Sequence, residues 1–185
     1  MNRRTRWLGP LAEGAADLSR DLELVVAKHQ RGDSRFPRLA TCTDMSAIAL
    51  ALLRAGIALR RSVGTSAGAH VVLRWLFKID VWTDAIGPAL TLPHPFNIVI
   101  GSGVAIGTGC TILHNTTVQT ATDTRIGDGV TLATGSVVLA NRKVGDRATC
   151  GANSVVTHDV PAGAVVVGSP ARLIKRRDQV HDHAA

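Results

Sequence analysis

Residues 100–156 read IGSGVAIGTGCTILHNTTVQTATDTRIGDGVTLATGSVVLANRKVGDRATCGANSVV, and this stretch decides the fold. An aliphatic residue or a cysteine recurs every six positions, and a glycine often follows it, as Gly107 follows Ile106. Extended toward the N-terminus, the series has twelve members and steps of six, apart from two steps of eight: Ile86, Leu92, Ile100, Ile106, Ile112, Val118, Ile126, Leu132, Val138, Val144, Cys150 and Val156. Such a period indicates a repeat architecture.

Each hexad predicts one short strand and one turn, with the marked residue pointing inward. Three hexads close a triangular coil of about 18 residues, and stacked coils pair through parallel ladders roughly 4.8 Å apart. The pattern therefore predicts a parallel β-helix of about four coils. We expect a helical region at 1–79, the β-helix at 80–168 and a C-terminal segment at 169–185.

The two steps of eight interrupt this period at residues 93–99 and 119–125. A packed interior has no room for the extra residues, so we expect both segments to bulge outward. Loops on a regular scaffold commonly carry function.

The first part of the chain has a helical period instead. Its apolar residues form two runs, Leu22, Leu24, Val25 and Val26, then Met45, Ile48, Ala49, Leu52, Leu53, Ile57 and Leu59. Ser19 and Thr43 are the predicted N-caps of these runs. Gly32 and Gly56 are predicted stops or bends, and a third helix is predicted over residues 69–77.

The chain carries a formal net charge of +7, with basic residues concentrated near both ends. This charge favours an anionic partner, and a phosphorylated cofactor needs only a few basic residues. Nucleic acid is disfavoured because no aromatic platform accompanies the charge.

Three widely spaced cysteines, Cys42, Cys110 and Cys150, form no CxxC pair, so we expect neither a disulfide framework nor a zinc knuckle. No apolar run reaches the roughly 18 residues that a membrane span needs. We therefore expect a cytoplasmic protein that is not bound to a membrane.

Counting along the repeat places two histidines together. His94 lies two residues after Leu92, and His114 lies two residues after Ile112, which is one coil further on. The two imidazoles are therefore predicted to lie at one corner in successive coils, within several Å. Thr134 and Ala152 continue this column, which narrows to small residues.

The segment from residue 80 to residue 176 resembles the hexapeptide-repeat acyltransferases, and within them the serine O-acetyltransferase-like branch. The matching motifs are KIDVWTDAIGPALTLPHPFNIVIGSGVAIGTGCTIL at 78–113, IGDGVTLATGSVVL at 126–139 and CGANSVVTHDVPAGAVVVGSPARLIKR at 150–176. The resemblance implies a mainly β fold, a left-handed parallel β-helix preceded by helices. It also implies transfer of acetyl from acetyl-CoA to a small hydroxyl acceptor, in a homotrimer or a dimer of trimers whose site lies between subunits.

The resemblance places His94 at the position of the general base that removes the acceptor proton. The repeat count puts Asp80 at the inward position of the first hexad, and with the resemblance it suggests that Asp80 orients the His94 imidazole. His114 is a candidate second acid–base group or substrate contact. No metal is expected.

The same resemblance suggests residues for the cofactor and the acceptor. The candidates for the pantetheine arm and then for the phosphates of CoA are Ala133, Thr134, Gly151, Ala152, Ser169, Arg172, Lys175 and Arg176. Asp123 and Arg125 are candidates for the acceptor.

Two departures leave the acceptor open. Serine acetyltransferases carry Asp before the catalytic histidine, where this chain has Pro93. Their longer loop ending in an Arg-His pair corresponds to the short QTATDTR segment at 119–125. A serine-like amino acid, a sugar and a specialised metabolite all remain candidates, and N-transfer is not separated from O-transfer. The alternatives are an inactive β-helix scaffold or binding subunit and a zinc-dependent γ-type carbonic anhydrase.

Overall fold

The structure is a computed structural model that describes residues 5–31, 44–64 and 67–176. Three helices come first: α1 (Thr5–Arg31), α2 (Met45–Val63) and α3 (Ala67–Phe77). No helix in these ranges is both long enough and apolar enough to cross a membrane.

The predicted helix boundaries are partly wrong. Ser19 lies inside α1, because the helix starts further upstream and packs on α2 through Gly14 and Ala58. Gly56 lies inside α2, where a side chain would collide with His70. Thr43 and Gly32 lie outside the described residues.

The observed caps of α2 follow ordinary capping chemistry. Asp44 is the N-cap, and its carboxylate accepts a hydrogen bond from the Ser46 backbone N–H at 2.7 Å. Gly64 ends the helix in the left-handed conformation, with φ 76°.

The β-helix begins three residues after α3, and most of its strands are two residues long. The strands are β1 (Asp80–Val81), β2 (Val99–Ile100), β3 (Ala105–Ile106), β4 (Thr111–Ile112), β5 (Thr117–Val118), β6 (Arg125–Ile126), β7 (Thr131–Leu132), β8 (Val137–Val138), β9 (Lys143–Val144), β10 (Thr149–Cys150), β11 (Val155–Val156), β12 (Ala164–Val167) and β13 (Arg172–Arg176).

These strands form three faces of a prism. Face A contains β1, β2, β5, β8 and β11, face B contains β3, β6 and β9, and face C contains β4, β7, β10, β12 and β13. Neighbouring strands are parallel, except that β13 turns back and pairs antiparallel with β12. Part of the predicted C-terminal segment is thus a strand of face C.

The prism has about five coils rather than about four. The inward residues of the successive coils are Val81, Ile86 and Leu92; Ile100, Ile106 and Ile112; Val118, Ile126 and Leu132; Val138, Val144 and Cys150; and Val156, Val160 and Val166. The predicted count was one coil short because the series lacked three inward residues. These are Val81, five residues before Ile86, and Val160 and Val166, which follow a step of four from Val156.

All twelve residues of the six-residue series are buried, and the predicted fold class is confirmed. A second buried column, two positions before the first, was not predicted. It includes the apolar Val104 and Val130 and the polar Thr116 and Ser136. Exposed residues occupy both eight-residue steps, among them His94, Phe96 and Asp123.

Asp80 is not at an inward position. Val81 pairs in register with Ile100 and is buried, whereas Asp80 pairs with Val99 on the outer side. The step from Val81 to Ile86 is five residues, so counting back by six goes one residue too far and reaches Asp80.

Candidate active site

The turn from face C to face A carries the two histidines, and we call it the histidine corner. The ring centroids of His94 and His114 are 5.7 Å apart, and the rings meet edge to face at 78°. The adjacency predicted from the repeat is confirmed. Thr134 and Ala152 follow in the next two coils, where the Asn153 N–H bonds to the Thr134 carbonyl at 2.8 Å.

The histidine corner turns through a left-handed residue in each of four coils. These residues are Asn97, Asn115, Gly135 and Asn153, with φ of 55°, 59°, 71° and 55°. Asparagine and glycine tolerate this conformation better than other residues. The Asn97 side chain also donates to the Asn115 side-chain oxygen at 2.9 Å. Asn or Gly recurs three residues after Ile112, Leu132 and Cys150, a sequence signal for this turn that was not among the predictions.

The two histidines differ in exposure. His94 is exposed, whereas His114 is half-buried. The Nδ1 atom of His114 is shielded from solvent and has no hydrogen-bond partner among the described residues. A shielded ring nitrogen without a partner is costly, so His114 has one hydrogen bond that the described residues do not supply.

Helix α2 and an aromatic pair support the segment around His94. The Ser46 hydroxyl, in the first turn of α2, donates to the Pro93 carbonyl at 3.5 Å. The Phe96 ring lies 5.7 Å from the buried Phe77 ring, and Phe96 remains 43 % exposed. These contacts hold the chain on both sides of His94, whose own side chain stays exposed.

Asp80 has a different partner from the one predicted. Its carboxylate forms an ion pair with Arg74 of α3 at 3.8 Å. Within the described residues it makes no hydrogen bond to His94, because the register places it on the outer side of face A.

The candidate CoA residues share the histidine corner. Ala133 and Thr134 lie there in the third coil, and Gly151 and Ala152 lie there in the fourth. Gly168, just before Ser169, accepts a hydrogen bond from the Val155 N–H at 2.9 Å, which seats the final turn over the fifth coil.

Strand β13 follows this turn. Its residues Arg172 and Lys175 are exposed, and Arg176 lies at its end. The structure thus places the small residues in the third and fourth coils and the basic strand at the end of the prism beyond them.

Comparison with known proteins bears on this arrangement. No family model matches the chain. Over 108 residues it is 36 % identical to the serine acetyltransferase of Buchnera aphidicola from Acyrthosiphon pisum, which covers 54 % of this chain and 39 % of that protein. Over 107 residues it is 38 % identical to serine acetyltransferase 2 of Arabidopsis thaliana, covering 54 % and 33 %. The chain therefore spans well under half the length of these curated relatives.

The chain resembles the serine acetyltransferase-like hexapeptide-repeat acyltransferases. A crystal structure of Neisseria gonorrhoeae serine acetyltransferase superimposes with a TM-score of 0.76 at 24 % identity, covering 93 % of this chain and 69 % of that chain. A serine acetyltransferase in complex with CoA gives a TM-score of 0.71 at 23 % identity, covering 88 % and 70 %. At these identities the structural match concerns the fold.

In this serine acetyltransferase-like chain, the predicted acceptor contacts Asp123 and Arg125 lie at a different corner of the prism from His94. Residues 119–125 form the turn from face A to face B, which we call the loop corner. Arg125 Nη1 donates to the carbonyls of Thr122 at 2.8 Å and Thr124 at 3.1 Å, while Asp123 is exposed. One subunit alone does not bring Asp123 and Arg125 to His94.

The described ranges contain no group of three His, Cys, Asp or Glu side chains placed to hold a metal ion. The histidine corner offers two such side chains, one coil apart. A zinc site of the carbonic anhydrase kind needs three, and that alternative is not favoured.

Proposed function

We propose that the protein is an acetyl-CoA-dependent O-acetyltransferase that acts on a small hydroxyl acceptor. The observation that carries this proposal is the contact of His94 with His114 at a corner that continues into small residues and ends at a basic strand. The relatives named serine acetyltransferase and the neighbour solved with CoA support it.

His94 acts as the general base. Imidazole exchanges protons near neutral pH, and an exposed ring can reach an acceptor hydroxyl. The acceptor oxygen attacks the thioester carbonyl carbon, its proton passes to His94, and the C–S bond breaks. The proton then goes to the departing thiolate, so the products are an acetyl ester and free CoA. No covalent enzyme intermediate is needed.

His114 contacts the acceptor or the developing oxyanion through its shielded Nδ1. This atom has no protein partner among the described residues, so a turn of the ring that brings it to a substrate oxygen or hydroxyl gains a hydrogen bond. Asp80 contributes less than a triad carboxylate would, because it pairs with Arg74.

CoA lies along the histidine corner. Small side chains at Ala133, Gly151 and Ala152 leave room for a thin pantetheine arm beside backbone groups. The exposed Arg172 and Lys175 are suited to the phosphates, with Ser169 and Arg176 beside them.

Three copies pack through face A. Three of the five outward strand residues of this face are valines and the other two are Asp80 and Thr117, whereas face B presents Arg125 and Lys143. The apolar members on face A are Trp82, Val99, Val137, Leu139 and Val155. Packing around a threefold axis places the histidine corner of one copy against the loop corner of the next. Asp123 and Arg125 then reach the acceptor from the neighbouring copy.

Serine is the first acceptor to test, because the relatives are named for it. Pro93 and the short QTATDTR loop make homoserine, simple sugars and sugar nucleotides the next candidates. An amine analogue of the best acceptor separates O-transfer from N-transfer.

The test is acetyl-CoA turnover, measured by thiol trapping, with wild type, His94→Ala and the control His158→Ala. His158 is exposed and lies in the fifth coil, whereas His94 lies in the first. We expect one acceptor to stimulate CoA release, His94→Ala to lower kcat about 10²-fold or more, and His158→Ala to have no effect. Asp80→Asn is expected to lower kcat far less than His94→Ala.

Two results would contradict the proposal. Full activity of His94→Ala removes the assigned base, and an absence of saturable CoA binding by calorimetry favours the inactive scaffold. Sedimentation should give three times the 19.4 kDa chain mass, or a multiple of that, if face A joins the copies.

A further inference from the structure

A buried ion pair joins the helices to the first coil of the β-helix. Asp21 of α1 is fully buried, and Arg54 of α2 is 2 % exposed. Arg54 Nε and Nη2 donate to the two Asp21 carboxylate oxygens at 2.7 and 3.1 Å. Burial raises the pKa of Asp21, and the Arg54 guanidinium opposes that shift. Two buried charges lose their hydration, so each needs hydrogen-bond partners in a well-defined geometry.

The first coil has a problem that the inner coils do not share. Each inner coil forms a ladder with a coil on both sides, whereas the first coil pairs only with the second. The Gly87 and Thr91 N–H groups donate to the Ile106 and Cys110 carbonyls of that second coil. The backbone groups that point the other way have no coil to bond to, and buried backbone groups require partners.

Arg54 and Asp21 supply those partners. Arg54 donates to the Ile86 carbonyl at 2.9 Å and to the Gly87 carbonyl at 2.7 Å. The Asp21 carboxylate accepts from the Leu90 N–H at 2.8 Å. The Asp21–Arg54 ion pair therefore makes the backbone hydrogen bonds that a preceding coil would otherwise have made.

The coil held in this way is the one that carries His94. His94 lies four residues after Leu90, and α2 also reaches the Pro93 carbonyl through Ser46. His114 belongs to the second coil, which has ladders on both sides. The separation of the two imidazoles therefore depends on how firmly the first coil is seated.

We propose that Arg54 and Asp21 are positioning residues, which act through the backbone of residues 86–90 to set His94 against His114. The effect on catalysis rests on the proposed function, whereas the effect on the first coil does not. Displacing a catalytic group by about 1 Å costs up to 10²-fold in rate.

The test compares wild type with Arg54→Lys, which keeps the charge but loses the fork that reaches two carbonyls and a carboxylate. Arg61→Lys is the matched control, because Arg61 lies on α2 and touches the Asp84 carbonyl but is exposed. Turnover is measured per CoA-binding site, well below the melting temperature. Amide hydrogen exchange is measured over 86–97 and over the third and fourth coils.

We expect Arg54→Lys to lower kcat at least about tenfold, with KM for acetyl-CoA unchanged within about twofold, because the CoA candidates lie in later coils. Exchange should accelerate at 86–97 and stay unchanged in the third and fourth coils. Arg61→Lys should match wild type in both measurements.

A purely structural role predicts fewer CoA-binding sites but an unchanged kcat at each site, and that result overturns the proposal. Unchanged exchange at 86–97 overturns it as well, whatever the activity. If wild type binds CoA but transfers no acetyl group, the proposed function is contradicted instead. Amide hydrogen exchange at 86–97 then still tests whether Arg54 and Asp21 hold the first coil in place. Should Arg54→Lys not fold, Asp21→Asn is tested in the same way, because it keeps an oxygen for the Leu90 N–H.

Discussion

The β-helix and the helical region are stabilised in different ways. In the β-helix each coil buries the same positions and bonds its backbone to the coils beside it, so packing repeats with a spacing of about 4.8 Å. In the helical region the contacts do not repeat. Helices α1, α2 and α3 meet through buried apolar side chains, close approaches at Gly14 and Gly56, and the Asp21–Arg54 pair. A substitution inside the repeated core should therefore cost more stability than one on the exposed surface of the helices.

The largest stability effect is expected inside the prism. Ile112→Ala removes a fully buried side chain between two coils and should lower the free energy of unfolding by about 2–5 kcal/mol. Leu24→Ala, at a 43 % exposed position of α1, should stay within about 0.5 kcal/mol. Urea unfolding followed by circular dichroism measures both. Equal losses of stability in the two variants would contradict this difference between the regions.

Two glycine-to-alanine substitutions should change the stability by smaller amounts, with opposite signs in the two regions. A Cβ at Gly101 would lie 2.3 Å from the Thr120 backbone nitrogen, so Gly101→Ala should destabilise by about 1–3 kcal/mol. A Cβ at Gly68, in α3, meets nothing within 4 Å, so Gly68→Ala should stabilise by about 0.4–1 kcal/mol. Thermal unfolding of the two variants checks the signs, and a stabilising Gly101→Ala would contradict the close approach of the coils.

The smallest effect concerns the junction between the regions and depends on pH. Burial, followed by the charge of Arg60, lowers the pKa of His70 below its ordinary value of 6.5. Arg60 Nη2 lies 2.5 Å from His70 Nε2, a contact that requires a neutral ring. The unfolded chain therefore binds more protons as pH falls below about 6.5, and the folded state loses stability there.

The measurement is the melting temperature of wild type, His70→Gln and His158→Gln between about pH 7.5 and 5.5. Wild type and His158→Gln should lose more stability on acidification than His70→Gln. Parallel curves for all three proteins would show that His70 does not contribute.

The sequence predicted the parts of the site that the repeat controls. The contact of His94 with His114 followed from counting six and allowing one step of eight. The same counting misplaced Asp80, because the step between Val81 and Ile86 is five residues where helix gives way to prism. The partner of Asp80, Arg74, lies on α3 and has no place in the repeat.

The helical region was less predictable for a physical reason. Ser and Gly are residue types typical of helix ends, yet Ser19 and Gly56 both lie within helices that pack against neighbouring helices. Propensity and capping signals amount to about 1 kcal/mol, which tertiary contacts readily exceed.

The sequence by itself determined the prism, its inward residues and the shared corner of the two histidines, because a six-residue period fixes which side chains face inward in every coil. Tertiary structure alone decided the fifth coil's short step, the outward turn of Asp80 and the bonds from Asp21 and Arg54 to the first coil. Those features join residues more than 30 positions apart, or follow from where the stack ends. A periodic pattern describes the inside of a stack, but the end of the stack is shaped by whatever packs against it.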